Sequence, residues 1–300
     1  MWETGPFDRA AAFLPTELAT RVLTLPAEER RLAEEIRLRR GHPVSVTLPE
    51  GERTVGDVPV TGADLERLVE LVSRCSYHAV ADRLGSGYIT APGGHRVGLC
   101  GNAVLRGGEM CGISPITSAN IRVARQVPGA ARPVLSRLCP DGRLTDTLIL
   151  APPGLGKTTL LRDLVRAVSE GENCTPQRVS LMDERGEVAA LYNGLPQMDI
   201  GRRTDVLEGC PKGEGLLLLL RAMNPQVLAV DEITDPKDVA ALTAAAGCGV
   251  TLLATAHGAD RTDLERRSLY RALMAEGIFR RLVTIRREGG ARRYEVEELP

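Results

Sequence analysis

The sequence predicts an α/β fold: a parallel-sheet domain built around a phosphate-binding loop, preceded by a smaller α+β domain. Three observations carry the prediction. Apolar, strand-length runs at 147–150, 179–182, 227–230 and 250–256 each end in a polar or glycine-rich turn. Runs without polar alternation belong to strands buried on both faces of a parallel sheet. The first of them feeds Leu-Ala-Pro-Pro-Gly-Leu-Gly-Lys-Thr-Thr-Leu-Leu at 150–161, the strand–loop–helix layout of a P-loop. Upstream of about 140 the pattern changes to short helices mixed with alternating strands, the mark of an α+β domain.

In chain order, residues 8–40 read as largely helical, with a helix starting at Pro26-Ala27-Glu28-Glu29. Glu35-Ile36-Arg37-Leu38-Arg39 then alternates as a strand before Gly41-His42-Pro43, and Val44–Leu48 is its expected hairpin partner. Leu65, Leu68, Val69 and Val72 lie at helical spacing and predict a helix over 62–75. A glycine-rich, strand-like segment occupies 88–101, and a further strand is expected at Asn120–Ala124. The glycines of 88–101 are hairpin turns, or they hold out His95 and Arg96 as a charged tip for a neighbouring subunit's phosphate. Arginine fingers act in that way in P-loop ATPases. Arg122, Arg125, Arg202 and Arg203 are competing candidates, and the sequence does not choose among them. Pro140-Asp141-Gly142 marks the change of pattern, so an N-terminal α+β domain over 1–142 and a P-loop domain over 143–300 are expected.

In the P-loop, Gly154 and Gly156 let backbone N–H groups turn inward around an anion. The helix starting near Lys157 adds its unpaired donors and the positive end of its dipole. The candidate nucleotide ligands are Pro152, Pro153, Gly154, Leu155, Gly156, Lys157, Thr158 and Thr159. Lys157 is expected to reach the β- and γ-phosphates of ATP, and the Thr158 hydroxyl to bind Mg2+. The consensus opens with glycine; here Ala151 takes that place.

Binding alone needs no more, but hydrolysis needs an acidic strand end. Gln-Val-Leu-Ala-Val-Asp-Glu-Ile at 226–233 supplies one. Asp231 is the candidate acid on the Mg2+ side, and Glu232 the candidate general base for the attacking water. Asp183 and Glu184 end the 179–182 run, with Glu187 just beyond, and His257 ends the 250–256 run. In a parallel sheet such ends converge on one crevice, so Glu184 and His257 join the candidate catalytic set.

Composition narrows the partners. A net charge of −1 argues against a general nucleic-acid coat, and three Phe, five Tyr and one Trp leave few rings to stack on bases. The arginine pairs 202–203, 266–267, 280–281, 286–287 and 292–293 are spread along the chain and are expected to solvate its surface. Seven cysteines without a C-x-x-C pair favour reduced thiols over a disulfide framework or zinc site. The start is no signal peptide, and the longest apolar run, Leu216–Leu220, is far too short for a membrane span. A cytoplasmic protein is expected, able to dock at a membrane through a partner.

Longer motifs add a resemblance. They include Glu35-Ile36-Arg37-Leu38-Arg39, Gly87-Tyr88-Ile89-Thr90, Gly93-Gly94-His95-Arg96-Val97-Gly98-Leu99-Cys100-Gly101 and Asn120-Ile121-Arg122-Val123-Ala124-Arg125. Further along stand Asp183-Glu184-Arg185, Arg203-Thr204-Asp205-Val206-Leu207, Gly209-Cys210-Pro211-Lys212, Leu220-Arg221-Ala222-Met223-Asn224-Pro225 and Thr255-Ala256-His257-Gly258. On these the chain resembles the stage III sporulation protein AA family, sporulation ATPases related to the type II/IV secretion motors. The resemblance implies a RecA-like ATPase core behind the α+β domain. It also implies a homo-oligomeric ring, hexameric, with nucleotide at subunit interfaces. The implied role is a mother-cell motor energising membrane proteins of a secretion-like channel that faces the forespore. It makes Asp183 and Glu184 an acidic-box match and His257 a histidine-box match. Asp231-Glu232 stands where many secretion motors carry Gly-Glu, which favours Glu232 as the essential acid. Two rivals stay open, a nucleic-acid-stimulated ATPase and a nucleotide-gated scaffold without meaningful turnover.

Overall fold

Backbone pairing sorts the described residues into three sheets, and their internal contacts sort the chain into two units. The structure is a computed structural model and describes residues 5–73 and 88–300. The last two residues of the helix expected over 62–75, Cys75 among them, and Gly87 of the quoted motif lie outside the described residues.

The first unit holds the described residues up to Arg125 together with Ala190–Gln197. The helical region expected from residue 8 resolves into three short helices, Pro6–Ala11, Thr16–Val22 and Ala27–Leu32. Pro15 and Pro26 stand at the N-caps of the second and third, where a residue without an N–H starts a helix but cannot continue one. Six strands follow: β1 (Glu35–Arg39), β2 (Pro43–Leu48), β3 (Gly51–Pro59), β4 (Tyr88–Thr90), β5 (Arg96–Arg106) and β6 (Glu109–Arg122). They form an antiparallel sheet in the order β3-β2-β1-β6-β5-β4. Ile36 and Leu38 of β1 are buried and meet Val44 and Val46 of the expected hairpin partner β2 in one core. Helix Gly62–Ser73 turns Leu65, Leu68, Val69 and Val72 into the same core. The strand expected at Asn120–Ala124 is the end of the much longer β6. Its earlier part, like the outer half of β5, is largely solvated and carries no apolar alternation to read. Residues 190–197 add a two-stranded ribbon, β9 (Leu191–Tyr192) with β10 (Leu195–Pro196).

His95 is not a charged tip. It is fully buried, and its Nδ1 accepts the Ala124 N–H at 3.1 Å. Burial, and after it the charges of Arg9 and Arg125, push its pKa down to about 4. The imidazole is therefore neutral. Arg96 lies 3.8 Å over the Tyr88 ring, a cation–π contact.

The second unit comprises Gln126–Ala189 and Met198–Pro300. The contacts thus divide the chain after Arg125, upstream of the composition change at 142, and helix Arg132–Leu138 falls in this unit. Its strands are β7 (Thr147–Ala151), β8 (Val179–Asp183), β11 (Thr204–Glu208), β12 (Val227–Val230), β13 (Thr251–His257), β14 (Arg281–Glu288) and β15 (Ala291–Glu298). They lie in the order β11-β8-β12-β13-β7-β14-β15, parallel throughout except the final β14–β15 hairpin. Every residue of β7, β8 and β12 is buried, as their unbroken apolar character predicts. Leu148, Leu150, Met182, Leu228, Val230, Leu252 and Ala254 share a core with helices Lys212–Met223 and Pro236–Ala246. No helix among the described residues is long and apolar enough to cross a membrane.

Candidate functional site

The register β8-β12-β13-β7 brings four strand ends to one edge. Val230 pairs with Met182 on one side and Ala254 on the other, and His257 pairs with Ala151. Asp183, Asp231 with Glu232, His257 and the P-loop are thereby neighbours, although up to about a hundred residues separate them in sequence.

Gly154 (φ 79°) and Gly156 (φ 96°) occupy the left-handed region, which admits glycine at no steric cost. Gly156 is the N-cap of helix Lys157–Glu170, and no side chain caps that end. Its first N–H groups are therefore offered to an anion. Ala151 has no positive φ; it ends β7 in extended backbone, so alanine in place of the consensus glycine brings no strain.

A continuous hydrogen-bond circuit joins the candidate residues. Lys157 Nζ donates to the Ala151 carbonyl at 3.1 Å and lies 2.7 Å from His257 Nδ1. Because an ammonium only donates, Nδ1 is the acceptor and Nε2 carries the proton. His257 Nε2 is 2.7 Å from Glu232 Oε1. Glu232 N–H donates to Thr255 Oγ1 at 2.8 Å, and that hydroxyl donates to Asp231 Oδ1 at 2.8 Å. Thr158 Oγ1 donates to Asp231 Oδ2 at 3.0 Å. Arg185 is 3.9 Å from Glu232 Oε2. Tyr270 braces the edge, donating to the Ile233 carbonyl at 3.0 Å and accepting the His257 N–H at 3.3 Å.

Burial shapes the charges. It lowers the Lys157 pKa, while Glu232 and Asp231 pull it back up. It raises that of Asp231, which the hydroxyls of Thr255 and Thr158 partly offset. Asp183 is pushed up to about 6, again chiefly by burial. Its carboxylate nevertheless accepts three backbone bonds, from Glu187 N at 2.9 Å, Val188 N at 3.0 Å and Ala189 N at 2.8 Å. Asp183 thus organises the loop after β8. Glu184 turns the other way and binds the buried Lys212 at 2.7 Å, with Thr234 Oγ1 accepting from the same ammonium at 3.1 Å.

For Mg2+, Thr158 and Asp231 present hard oxygens side by side at the mouth of the loop, and the half-buried Asp231 carboxylate accepts its side-chain hydrogen bonds from the hydroxyls of Thr158 and Thr255. That suits a cation bound through one or two protein oxygens plus phosphate and water. Among the described residues no group of three or more His, Cys, Asp or Glu is arranged as a metal cage.

Of the candidate arginines, Arg202 binds Glu170 at 2.8 Å and Arg203 donates to the Ser169 carbonyl at 3.0 Å. Both hold the C-terminal end of the P-loop helix, which at 1.5 Å per residue lies roughly 20 Å from Lys157. Arg125 donates to the Ala33 carbonyl, and Arg122 is exposed 3.8 Å from Glu35. Sequence reasoning missed Lys212, Thr255, Tyr270 and Arg292 as site residues. The Arg292 guanidinium lies against the P-loop, 3.0 to 3.1 Å from where a Cβ on Gly156 would stand. Thr255 and Lys212 sit inside motifs already quoted, but nothing in one strand shows which neighbour its side chain meets.

Comparison with known proteins follows the same lines. A family described as sporulation stage III, protein AA matches residues 13–296. Stage III sporulation protein AA of Bacillus subtilis (strain 168) is 38% identical over 281 residues, 93% of this chain and 91% of that protein. Among solved structures, the ATPase DotB of Yersinia pseudotuberculosis aligns at TM-score 0.62 and 16% identity, over 95% of this chain and 80% of DotB. The pilus retraction motor PilT with bound ADP aligns at TM-score 0.62 and 17% identity, over 93% of this chain and 82% of PilT. The fold is therefore α/β and RecA-like, the fold shared with DotB and PilT.

Proposed function

The chain belongs to the sporulation stage III, protein AA family, and from that premise we propose that it is an ATP-hydrolysing motor. The observation that supports this best is the circuit Lys157–His257–Glu232–Thr255–Asp231–Thr158, which ties phosphate loop, acidic strand end and histidine strand end together.

Residues Pro152, Pro153, Gly154, Leu155, Gly156, Lys157, Thr158 and Thr159 bind the triphosphate, Lys157 leaving His257 for the β- and γ-phosphates. Thr158 and Asp231 hold Mg2+, which when bound neutralises developing phosphate charge. Glu232 orients the attacking water and takes its proton at a carboxylate oxygen. His257, linked to both Lys157 and Glu232, passes the arrival of phosphate at the lysine to the base. Asp183 holds the loop after β8 and Glu184 anchors Lys212, so both act as positioning residues in the acidic box.

The protein works as a homo-oligomer, a hexameric ring on family precedent, with an arginine from a neighbouring subunit completing the site. The first unit serves assembly. The motor stands in the cytoplasm and meets the membrane through proteins of a sporulation channel.

The test compares Mg-ATP turnover and ATP binding in the wild-type and Glu232→Gln proteins. The expected variant binds ATP but loses turnover by about a hundredfold or more. Turnover retained in Glu232→Gln would sink the general-base assignment.

A further inference from the structure

The C-terminal hairpin reaches past the sheet edge at the P-loop. β14 runs parallel to β7 from the pair Arg281–Thr147 to Thr284–Leu150. Beyond Leu150 its partner strand gives way to the P-loop, while Ile285–Glu288 continue and β15 returns antiparallel from Ala291. Arg287 and Arg292 stand directly opposite one another on this projecting tip. Opposed like charges destabilise a strand pair.

The neighbouring arginines are neutralised: Arg286 pairs with Glu295 at 3.1 Å, Arg293 with Glu288 at 2.8 Å and Arg281 with Glu298 at 2.6 Å. Among the described residues, Arg287 and Arg292 have no hydrogen-bond or ion-pair partner. Arg292 brings its unpaired guanidinium to Gly156, the N-cap at the positive end of the P-loop helix. Two positive features thus meet at the loop, an arrangement that an anion between them relieves.

We propose that Arg292 is an in-chain ligand of the nucleotide's phosphate chain, clamping it against the P-loop from the C-terminal hairpin. The proposal rests on the P-loop reading above. A guanidinium presents a planar fork of donors that matches phosphate oxygens two at a time, which an ammonium at the same place cannot do. The clamp comes from the same subunit as the P-loop, so it contributes to binding irrespective of assembly, unlike an arginine supplied by a neighbour.

The experiment measures dissociation constants for Mg-ATP and Mg-ADP in full-length wild-type, Arg292→Ala, Arg292→Lys, Arg293→Ala and Lys157→Ala proteins, with nucleotide-free melting temperatures as a check on folding. Arg292→Ala is expected to weaken both nucleotides about tenfold or more, the scale of a charge-assisted hydrogen bond. Arg292→Lys recovers part of the loss, and Arg293→Ala stays within about twofold of wild type because its guanidinium is already engaged by Glu288. If Arg292→Ala binds like wild type while Lys157→Ala does not, the P-loop reading stands and the clamp is wrong. An equal loss in Arg293→Ala, or a fall in nucleotide-free melting temperature with the affinity loss, would assign the effect to the hairpin's integrity and overturn the clamp. If wild-type protein binds neither nucleotide, the P-loop reading fails and the clamp falls with it.

Discussion

Glu232 sits at φ 58°, in the left-handed region that a non-glycine residue rarely adopts. Such a conformation costs on the order of 1–3 kcal/mol and persists where surrounding bonds over-determine it. Here its N–H is held by Thr255 Oγ1 and its carboxylate by His257. Removing the imidazole in His257→Ala frees Glu232 and Lys157 together. Turnover is expected to fall by about ten- to a hundredfold, with ATP affinity changed by less than about threefold. An unchanged turnover number would show that the histidine is only structural. Asp183 offers a pH test. Its folded pKa of about 6 exceeds the ordinary 3.8, so the folded state holds the proton more tightly than the unfolded chain. Its contribution to stability is therefore full below the unfolded pKa and is lost as pH rises toward and through about 6. The carboxyl carbon shift of Asp183 should show a midpoint near 6; a midpoint at the ordinary carboxylate value would refute this.

Between β12 and helix Pro236–Ala246 the chain is held by a capping box. Asp235 accepts the Lys237 N–H at 2.8 Å, and the buried Asp238 accepts from Thr234 N and Asp235 N, each at 3.0 Å. Thr234 also receives Lys212, so this turn holds the ammonium that anchors Glu184. Asp238→Ala should destabilise the second unit by about 1–2 kcal/mol, the cost of a lost cap, read as a lower urea midpoint of its unfolding transition. The sequence marks this helix start plainly, because Asp-Pro-Lys-Asp is a local signal. It hides the pairing of Glu184 with Lys212, which depends on β8 and helix Lys212–Met223 being brought together.

Over the whole molecule, the chain passes between its two units three times, because Ala190–Gln197 belongs with the first. Each unit has its own apolar core. If hydrolysis requires a neighbouring subunit's arginine, Mg-ATP turnover per subunit should rise with protein concentration over the range where sedimentation shows assembly. A turnover number constant from monomer to oligomer would place every required group in one chain. The Arg292 clamp would not produce that dependence, so the two arginine roles separate in one titration.

Local pattern alone determined the parallel strands β7, β8, β12 and β13, the P-loop and the carboxylates at strand ends, because strands buried on both faces must be apolar throughout and a phosphate cradle needs glycine before lysine; β11 and β14, polar in part, gave no such signal. Helix Gly62–Ser73 and the β1–β2 hairpin were legible for the same reason, through their periods. Tertiary structure decided what faces what. It buried His95 and made it neutral, turned Asp183 into a loop anchor, and set Arg202 and Arg203 at the far end of the P-loop helix. It also carried Arg292 from a charged strand with no apolar signal to the mouth of the loop. These outcomes depend on strand order and on burial, which arise only when segments distant in sequence pack side by side.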